Sequence, residues 1–383
     1  MGFSRLKQAL ASLFARGARR RRGPAELQAV PVPAGRLWGT LVLAAGTVAA
    51  GPAQADFDRR SLIELGGSVL RIESQEDSGR MQVGSGVVIA KERVVTNCHV
   101  TRRAKSITVV QAGSRWPVQA QTVDAEHDLC LLQVPELPHK PVALGKAGSL
   151  REGQDLAALG YTGGPALRIS GGSVVALHQW DGSQVIQCSN GFSSGASGGG
   201  LFDEQGRLVG ILTFRLPGGR SNYYAMPVEW LPAAEQAQAR AVDVKPHDGQ
   251  GFWQGPVNTL PNFLQAAAME SAGQWDALLQ LTERWMREDA ADAEPLYLRA
   301  LANANLGRDE AASQTWQRSL TVNPGFSRSW AALAELYHRS GQAQQEQQAL
   351  ASLNRLNPAL ARETTEKLGT DAPLPAQHAA AAP

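Results

Sequence analysis

The chain has 383 residues, 43% hydrophobic and 19% charged, a globular profile with length for two or three domains. Its net charge of +2 is unevenly spread: the first 36 residues hold eight Lys or Arg against one acid, which leaves the remainder at −5. That mildly acidic body lacks the clustered basic charge a phosphate backbone requires, which argues against nucleic acid as a partner.

Residues 1–55 read as an export leader. A basic region ends at Arg36, the apolar stretch LWGTLVLAAGTVAA follows at 37–50, and GPAQAD offers small residues ahead of a cut before Asp56. The apolar stretch has 14 residues, whereas a bilayer span takes about 20. The cleaved product would be periplasmic or secreted. Left uncleaved, residues 37–55 would instead tether the chain to the inner membrane.

The next region, 56–244, has short β-like runs, among them GSGVVIAKERVVTN, SITVVQ, DLCLLQV, DLAALGY, GGSVVALH and GRLVGILTF. They are rich in Val, Ile and Leu and are separated by Gly, Pro, Asp or Ser. This pattern predicts antiparallel barrels or a sandwich, not alternating βαβ units. Residues 245–261, KPHDGQGFWQGPVNTLP, are rich in Gly and Pro and read as a linker. On that reading residues 56–245 alone would keep whatever chemistry the β region performs.

Residues 262–362 change to Ala, Leu, Gln and Glu at helical spacing. Gly273, Gly307 and Gly341 recur every 34 residues, as do Pro324 and Pro358, and Trp330 follows Leu296 by 34. The stretch from Ser329 to Pro358 has its Trp, Leu, Ala, Tyr, Gly and Pro where a tetratricopeptide repeat has them. The copy around Gly273 fits less well. Stacked helix–turn–helix units are therefore expected, with an ordinary helical bundle as the alternative. Residues 363–383 read as a disordered tail by composition.

GFSSGASGGGLFD at 191–203 is either a flexible spacer or a rigid turn around a reactive serine. The rest of the chain supplies what a nucleophile needs. His99 follows a buried-looking strand, Asp128 opens the strand DLCLLQV, and Ser197 comes last, at separations of 29 and 69 residues. A serine hydroxyl needs an imidazole to take its proton, and the imidazole needs an acceptor to fix its tautomer. The backbone N–H groups of Gly195 and Ser197 are the candidate oxyanion donors. Ser193, Ser194 and Cys188 read as turn or packing residues. None of the three cysteines has C-x-x-C spacing, so no metal site is expected, and no cofactor.

The blocks GSGVVIAKERVVTNCHV, HDLCLLQV, REGQDLAALGY, LRISGGSVVAL and GASGGGLF, in that order, resemble the chymotrypsin-fold serine proteases, in the HtrA-like branch. The resemblance covers roughly residues 66–230. It implies an all-β double six-stranded barrel with the triad in the cleft between barrels, followed by the all-α repeat region. Several positions depart from the pattern: Cys98 precedes the histidine, Ala196 precedes the serine, and Gly200 stands where proline is commoner. The HtrA family usually carries a PDZ domain where this chain has helical repeats.

The resemblance also implies specificity-pocket walls at Gly191, Phe192, Thr213, Phe214, Arg215, Tyr224 and Ala225. These stretches hold no acid, which points to small or apolar substrate side chains. Cys98 and Cys130 adjoin His99 and Asp128, which must themselves meet, so either a disulfide or two reduced core thiols fits. The expected partners are a protein or peptide substrate and a protein bound by the repeats. The competing function is a catalytically silent protease-fold scaffold acting through those repeats.

Overall fold

The computed structural model describes residues 57, 59–217, 222–231 and 242–369. The leader expected at 1–55 lies outside them, as does the stretch 370–383. Helix α1 (Arg59–Gly66) leads into strands β1 (Val69–Glu76), β2 (Met81–Ala90) and β3 (Arg93–Thr96). The one-turn helix α2 (Cys98–Thr101) precedes β4 (Ala104–Gln111), β5 (Ser114–Pro117), β6 (Ala120–Asp124) and β7 (Leu129–Gln133). The second half has β8 (Asp155–Tyr161), β9 (Leu167–Trp180), β10 (Ser183–Cys188), β11 (Gly200–Phe202), β12 (Leu208–Arg215) and β13 (Tyr223–Pro227), and β14 (Val242–Asp243) follows.

β8 to β13 close into a six-stranded antiparallel barrel in the order β10-β13-β12-β11-β8-β9. The first half is an eight-stranded sheet in the order β14-β6-β7-β3-β2-β1-β4-β5. Its six central strands stand where the first barrel is expected, in a half-barrel sheet that is not closed among the described residues. The two extra edge strands are the short β5 and β14, and β14 returns from beyond the second barrel to pair with β6.

Opposite faces of the second barrel's strands feed different cores, as period-2 alternation requires. On β8, Leu156 and Ala158 join one cluster with Val174, Ile186 and Leu212. The alternate residues Ala157 and Leu159 join another, which contains Phe214 and Tyr224 and continues into helical residues Phe263, Leu278, Leu281 and Trp285. β12 is therefore buried at seven of its eight positions rather than alternating.

The C-terminal helices are α3 (Asn262–Ser271), α4 (Trp275–Glu288), α5 (Glu294–Asn305), α6 (Asp309–Val322), α7 (Ser327–Arg339), α8 (Ala343–Leu356) and α9 (Pro358–Leu368). They form three successive pairs followed by α9. Gly273, Gly307 and Gly341 turn the chain inside each pair with φ of 64°, 71° and 67°. Fully buried alanines, including Ala300, Ala312, Ala334 and Ala349, let the helices approach closely. The helical region runs past its expected end at 362. Pro358 starts α9, the Asn357 side chain caps it by accepting from Leu360 N at 3.0 Å, and Gly369 ends it in the left-handed conformation. Burial of Ala361 and Thr364 holds it in place.

The helical and β regions are joined by polar contacts as well as by the shared core. The Glu152 carboxylate accepts from Ser327 N at 3.1 Å and from Arg328 Nε at 3.1 Å, so it caps the start of α7. His178 on β9 meets Glu294 at the start of α5 at 2.8 Å, and Arg328 reaches the same carboxylate at 3.4 Å. Burial opposes the charge on Glu294, but His178 and Arg328 hold its pKa below the ordinary value. The stretch 245–261, expected as a linker, packs on the β region: His247 N donates to Arg102 O and Phe252 N to Glu126 O, each at 2.9 Å. Phe252 also lies 3.9 Å from Trp180 between ring centroids. Among the described residues no helix is long and apolar enough to cross a membrane.

Candidate active site

β3 ends at Thr96, directly opposite Cys130 of β7. The chain then turns into α2, which carries His99. Asp128 sits just before β7, in the left-handed region at φ 58°, an uncommon conformation for a side-chain-bearing residue that Asp tolerates better than most. The surroundings hold it there. Its backbone carbonyl accepts from Cys98 N at 3.2 Å and from Asn97 Nδ2 at 2.9 Å. Its carboxylate accepts from His99 N at 2.8 Å through Oδ1. Oδ2 lies 2.6 Å from His99 Nδ1 and accepts from Trp253 Nε1 at 3.3 Å. Asp128 is 1% exposed and the His99 side chain 20%, so a buried acceptor orients an imidazole that still reaches solvent. A neutral His99 with its proton on Nδ1 leaves Nε2 free as a base.

Cys98 and Cys130 are joined in a disulfide with Cα atoms 4.9 Å apart, so α2 is tied to β7 across the pair. His247 lies close to both sulfurs. The sulfurs' bond to each other removes the thiolates that a metal would require. Burial lowers the His247 pKa. Cys188 is fully buried in the second barrel's core, where desolvation pushes its thiol up to about 12, so it has no nucleophilic character at neutral pH.

Ser197 lies on the turn before β11. Ser85 of β2 clamps that turn from the first sheet. Its N–H donates to Ser197 O and its hydroxyl to Gly195 O, both at 2.8 Å, while Tyr161 N donates to the same hydroxyl at 2.8 Å. Only glycine fits at position 198, because φ is 86° and a Cβ there would collide with the Ser85 carbonyl. Among the described residues the N–H groups of Gly195 and Ser197 have no internal acceptor. The Ser197 hydroxyl is turned toward the Thr213 carbonyl, to which it donates at 3.3 Å. Asn97 links the two halves again, giving its second Nδ2 bond to Thr213 Oγ1 at 3.0 Å. The arrangement is a buried acid, an oriented base and a clamped serine at the junction of the sheets, the set needed for acyl transfer.

The residues expected as pocket walls divide into two groups. Phe192 packs against Tyr223, 5.0 Å between ring centroids, and the Tyr223 hydroxyl faces Gly191. Tyr224, the expected wall, instead stacks on Phe214 and packs toward Phe263, and it is 2% exposed. Neighbouring strand residues face opposite ways, so the aromatic beside Gly191 is Tyr223. Ala225 is buried with Cys188 and Ala196 in the second barrel's core. Arg215 is exposed opposite Tyr223. Thr213 is buried, its carbonyl accepting from the Ser197 hydroxyl and its own hydroxyl engaged with Asn97 Nδ2 and Ile211 O.

Three residues were not singled out in the sequence, Ser85, Asn97 and Trp253, while Tyr223 lies within the stretch 223–226 expected to line the pocket. Signals for two of them were present. Ser85 lies between glycines in GSG, and the pair FW stands out within an otherwise polar Gly/Pro stretch. His127, beside Asp128, bridges Asp124 at 2.8 Å and Asp181 at 2.7 Å and so ties the first sheet to the second barrel. Burial works against its charge, but the two carboxylates outweigh it and raise its pKa above the ordinary 6.5.

Part of the chain is similar to known proteins. Residues 84–211 match the family described as a trypsin-like peptidase domain. The serine protease Rv3671c of Mycobacterium tuberculosis is 29% identical over 140 residues, covering 34% of this chain and 35% of that protein. The serine protease HTRA4 of Mus musculus is 30% identical over 156 residues, covering 38% of this chain and 32% of that one. The crystal structure of the active form of Rv3671c superposes with a TM-score of 0.46 at 22% identity, covering 53% of this chain and 92% of that one. The chain spans about a third of the length of these two curated relatives. Residues 84–211 are thus similar to the trypsin-like peptidase domain, and the relatives they match include serine proteases such as HTRA4.

Proposed function

We propose that this protein is an exported serine endopeptidase in which Ser197 attacks the peptide carbonyl, His99 takes and returns the proton, and Asp128 holds the imidazole. The observation that carries the reading is the acid–base pair: one buried carboxylate bonded to both the backbone N–H and the Nδ1 of His99, at 2.8 and 2.6 Å. Before attack the Ser197 hydroxyl must rotate from the Thr213 carbonyl to His99 Nε2. The N–H groups of Gly195 and Ser197 would then receive the oxyanion, donors worth a few kcal/mol each in sites of this kind. Gly191, Phe192 and Tyr223 would accept a small or apolar side chain. Export rests on the leader at 1–55.

The protease domain is assigned to 56–244 and the repeats to 262–362, with 245–261 between them. We read the repeats as tetratricopeptide-like and as a recruiting surface for substrate or partner. A cavity of about 690 Å³ lined by Tyr297, Trp316, Arg328, Glu335, Arg339 and Glu363 supports that reading. A second reading, a silent scaffold, draws on the Ser197 hydroxyl being directed at a carbonyl. Hydrolysis of a set of peptides with small or apolar residues at the cleaved position decides between them. The catalytic reading requires turnover that Ser197→Ala abolishes, and equal turnover by that variant would end it.

A further inference from the structure

Trp253 lies in the stretch read from sequence as a passive linker, yet it touches the catalytic machinery at two places. Its indole N–H donates to Asp128 Oδ2, the oxygen that faces His99 Nδ1, at 3.3 Å. Its ring stands edge-on to the His99 ring, 5.7 Å between centroids at 84°. Residues on both sides hold it in place. Gly251 N donates to Gln254 Oε1 at 3.2 Å, and a Cβ at Gly251 would press against Trp253 Nε1 at 2.7 Å and Asp128 Cβ at 3.2 Å. Glycine is therefore needed for the segment to pass so close to the acid.

Behind Trp253 a run of aromatic contacts leads to the helices. Trp253 stacks on Phe214 at 4.7 Å and 15°, and Phe214 on Tyr224 at 4.7 Å and 9°. Tyr224 lies 6.3 Å from Phe263 of α3, which stacks on His178 at 4.4 Å. His178 is the residue that meets Glu294 of α5.

We propose that Trp253 is a positioning residue of the Asp128–His99 pair, so that residues 245–261 complete the active site rather than merely connect two domains. A second donor on Oδ2 fixes the direction in which the carboxylate faces the imidazole, and the indole ring keeps water from the acid. A buried carboxylate bonded only by the histidine could rotate away from it. Through the stacked rings the helices would set the position of Trp253, which gives the repeats a physical route to the triad. The inference rests on the catalytic reading of His99 and Asp128.

The test uses the full-length chain. Trp253→Phe keeps a ring to stack on Phe214 but removes the N–H. Its kcat should fall about three- to tenfold with KM unchanged, as for loss of one long hydrogen bond of ordinary net strength. Trp253→Ala should fall about a hundredfold, the scale of a misplaced catalytic group. If the alanine variant fails to fold, the phenylalanine variant decides. The second readout needs no turnover: the low-field proton resonance of the His99 Nδ1–H. Removing a competing donor from Oδ2 should strengthen the remaining bond and move this resonance to lower field. Unchanged kcat and an unmoved resonance in Trp253→Phe overturn the proposal, as does a loss carried by KM alone. If wild type turns over no peptide but the resonance still moves, the positioning role stands and the catalytic reading falls.

Discussion

The two halves of the candidate triad are held very differently. Asp128 receives bonds from His99 N, Trp253 Nε1, Cys98 N and Asn97 Nδ2 and faces His99 Nδ1, and a disulfide ties the same elements together. The turn that carries Ser197 is clamped as a backbone, but its hydroxyl makes one long bond to a carbonyl. On the proposed reading the Asp128–His99 pair is already ordered, whereas the Ser197 hydroxyl still has to turn from the Thr213 carbonyl toward the imidazole. That division predicts large losses for changes to the pair and smaller ones for changes to the supports.

The largest expected effect is that of Asp128→Asn. It should fold but lower kcat by about 10⁴-fold, because the amide leaves the imidazole in the wrong tautomer. A loss below tenfold in peptide hydrolysis would mean that the pair is not the preorganised element. Next comes truncation to residues 56–245. The sequence alone suggested that this piece would keep triad chemistry. Removing Trp253 and the helices instead exposes Phe214 and Tyr224 and strips a donor from Asp128, so small-ester turnover should fall at least about a hundredfold. Full ester activity in a folded truncate would restore the passive-linker view.

Ser85→Ala probes the other half. It deletes the bond to Gly195 O and leaves Tyr161 N without its acceptor. A stability loss of about 1–3 kcal/mol and roughly tenfold lower kcat are expected, measured by urea unfolding and peptide hydrolysis. The smallest effect concerns His127. Its folded pKa is raised by Asp124 and Asp181, so its stabilisation is present below pH 6.5 and is lost as pH rises through the higher folded value. Asp181 is 60% exposed, and solvent screening weakens the pair. Between pH 6 and pH 8.5 wild type should lose about 1–2 °C of Tm relative to His127→Gln. A difference of opposite sign would contradict the bridge.

Much of the β region was legible because Val, Ile and Leu runs broken by turn residues state their own period. The hairpin glycines were legible for the same reason, since their 34-residue spacing reflects a repeated geometric need. What escaped reading depends on contacts distant in sequence. Composition marks 245–261 as flexible, and nothing local reveals that Trp253 meets an acid 125 residues earlier. Which tyrosine of the stretch 223–226 stands beside Gly191 follows from strand alternation, where one position reverses the face, and β12 and β13 carry a register shift between Leu212 and Phe214. The last helix was cut short in the reading because its polar surface resembles a tail, while the cap at Asn357 and the burial of Ala361 appear only in the fold.

The most direct test of the proposed catalysis is whether Ser197 is a nucleophile. Full-length protein should be treated with a fluorophosphonate probe and the adduct mapped by mass spectrometry, alongside Ser197→Ala. One covalent adduct is expected, on the peptide carrying Ser197, and none in the variant. An adduct that persists in Ser197→Ala, or wild type that stays unlabelled while folded, would contradict it.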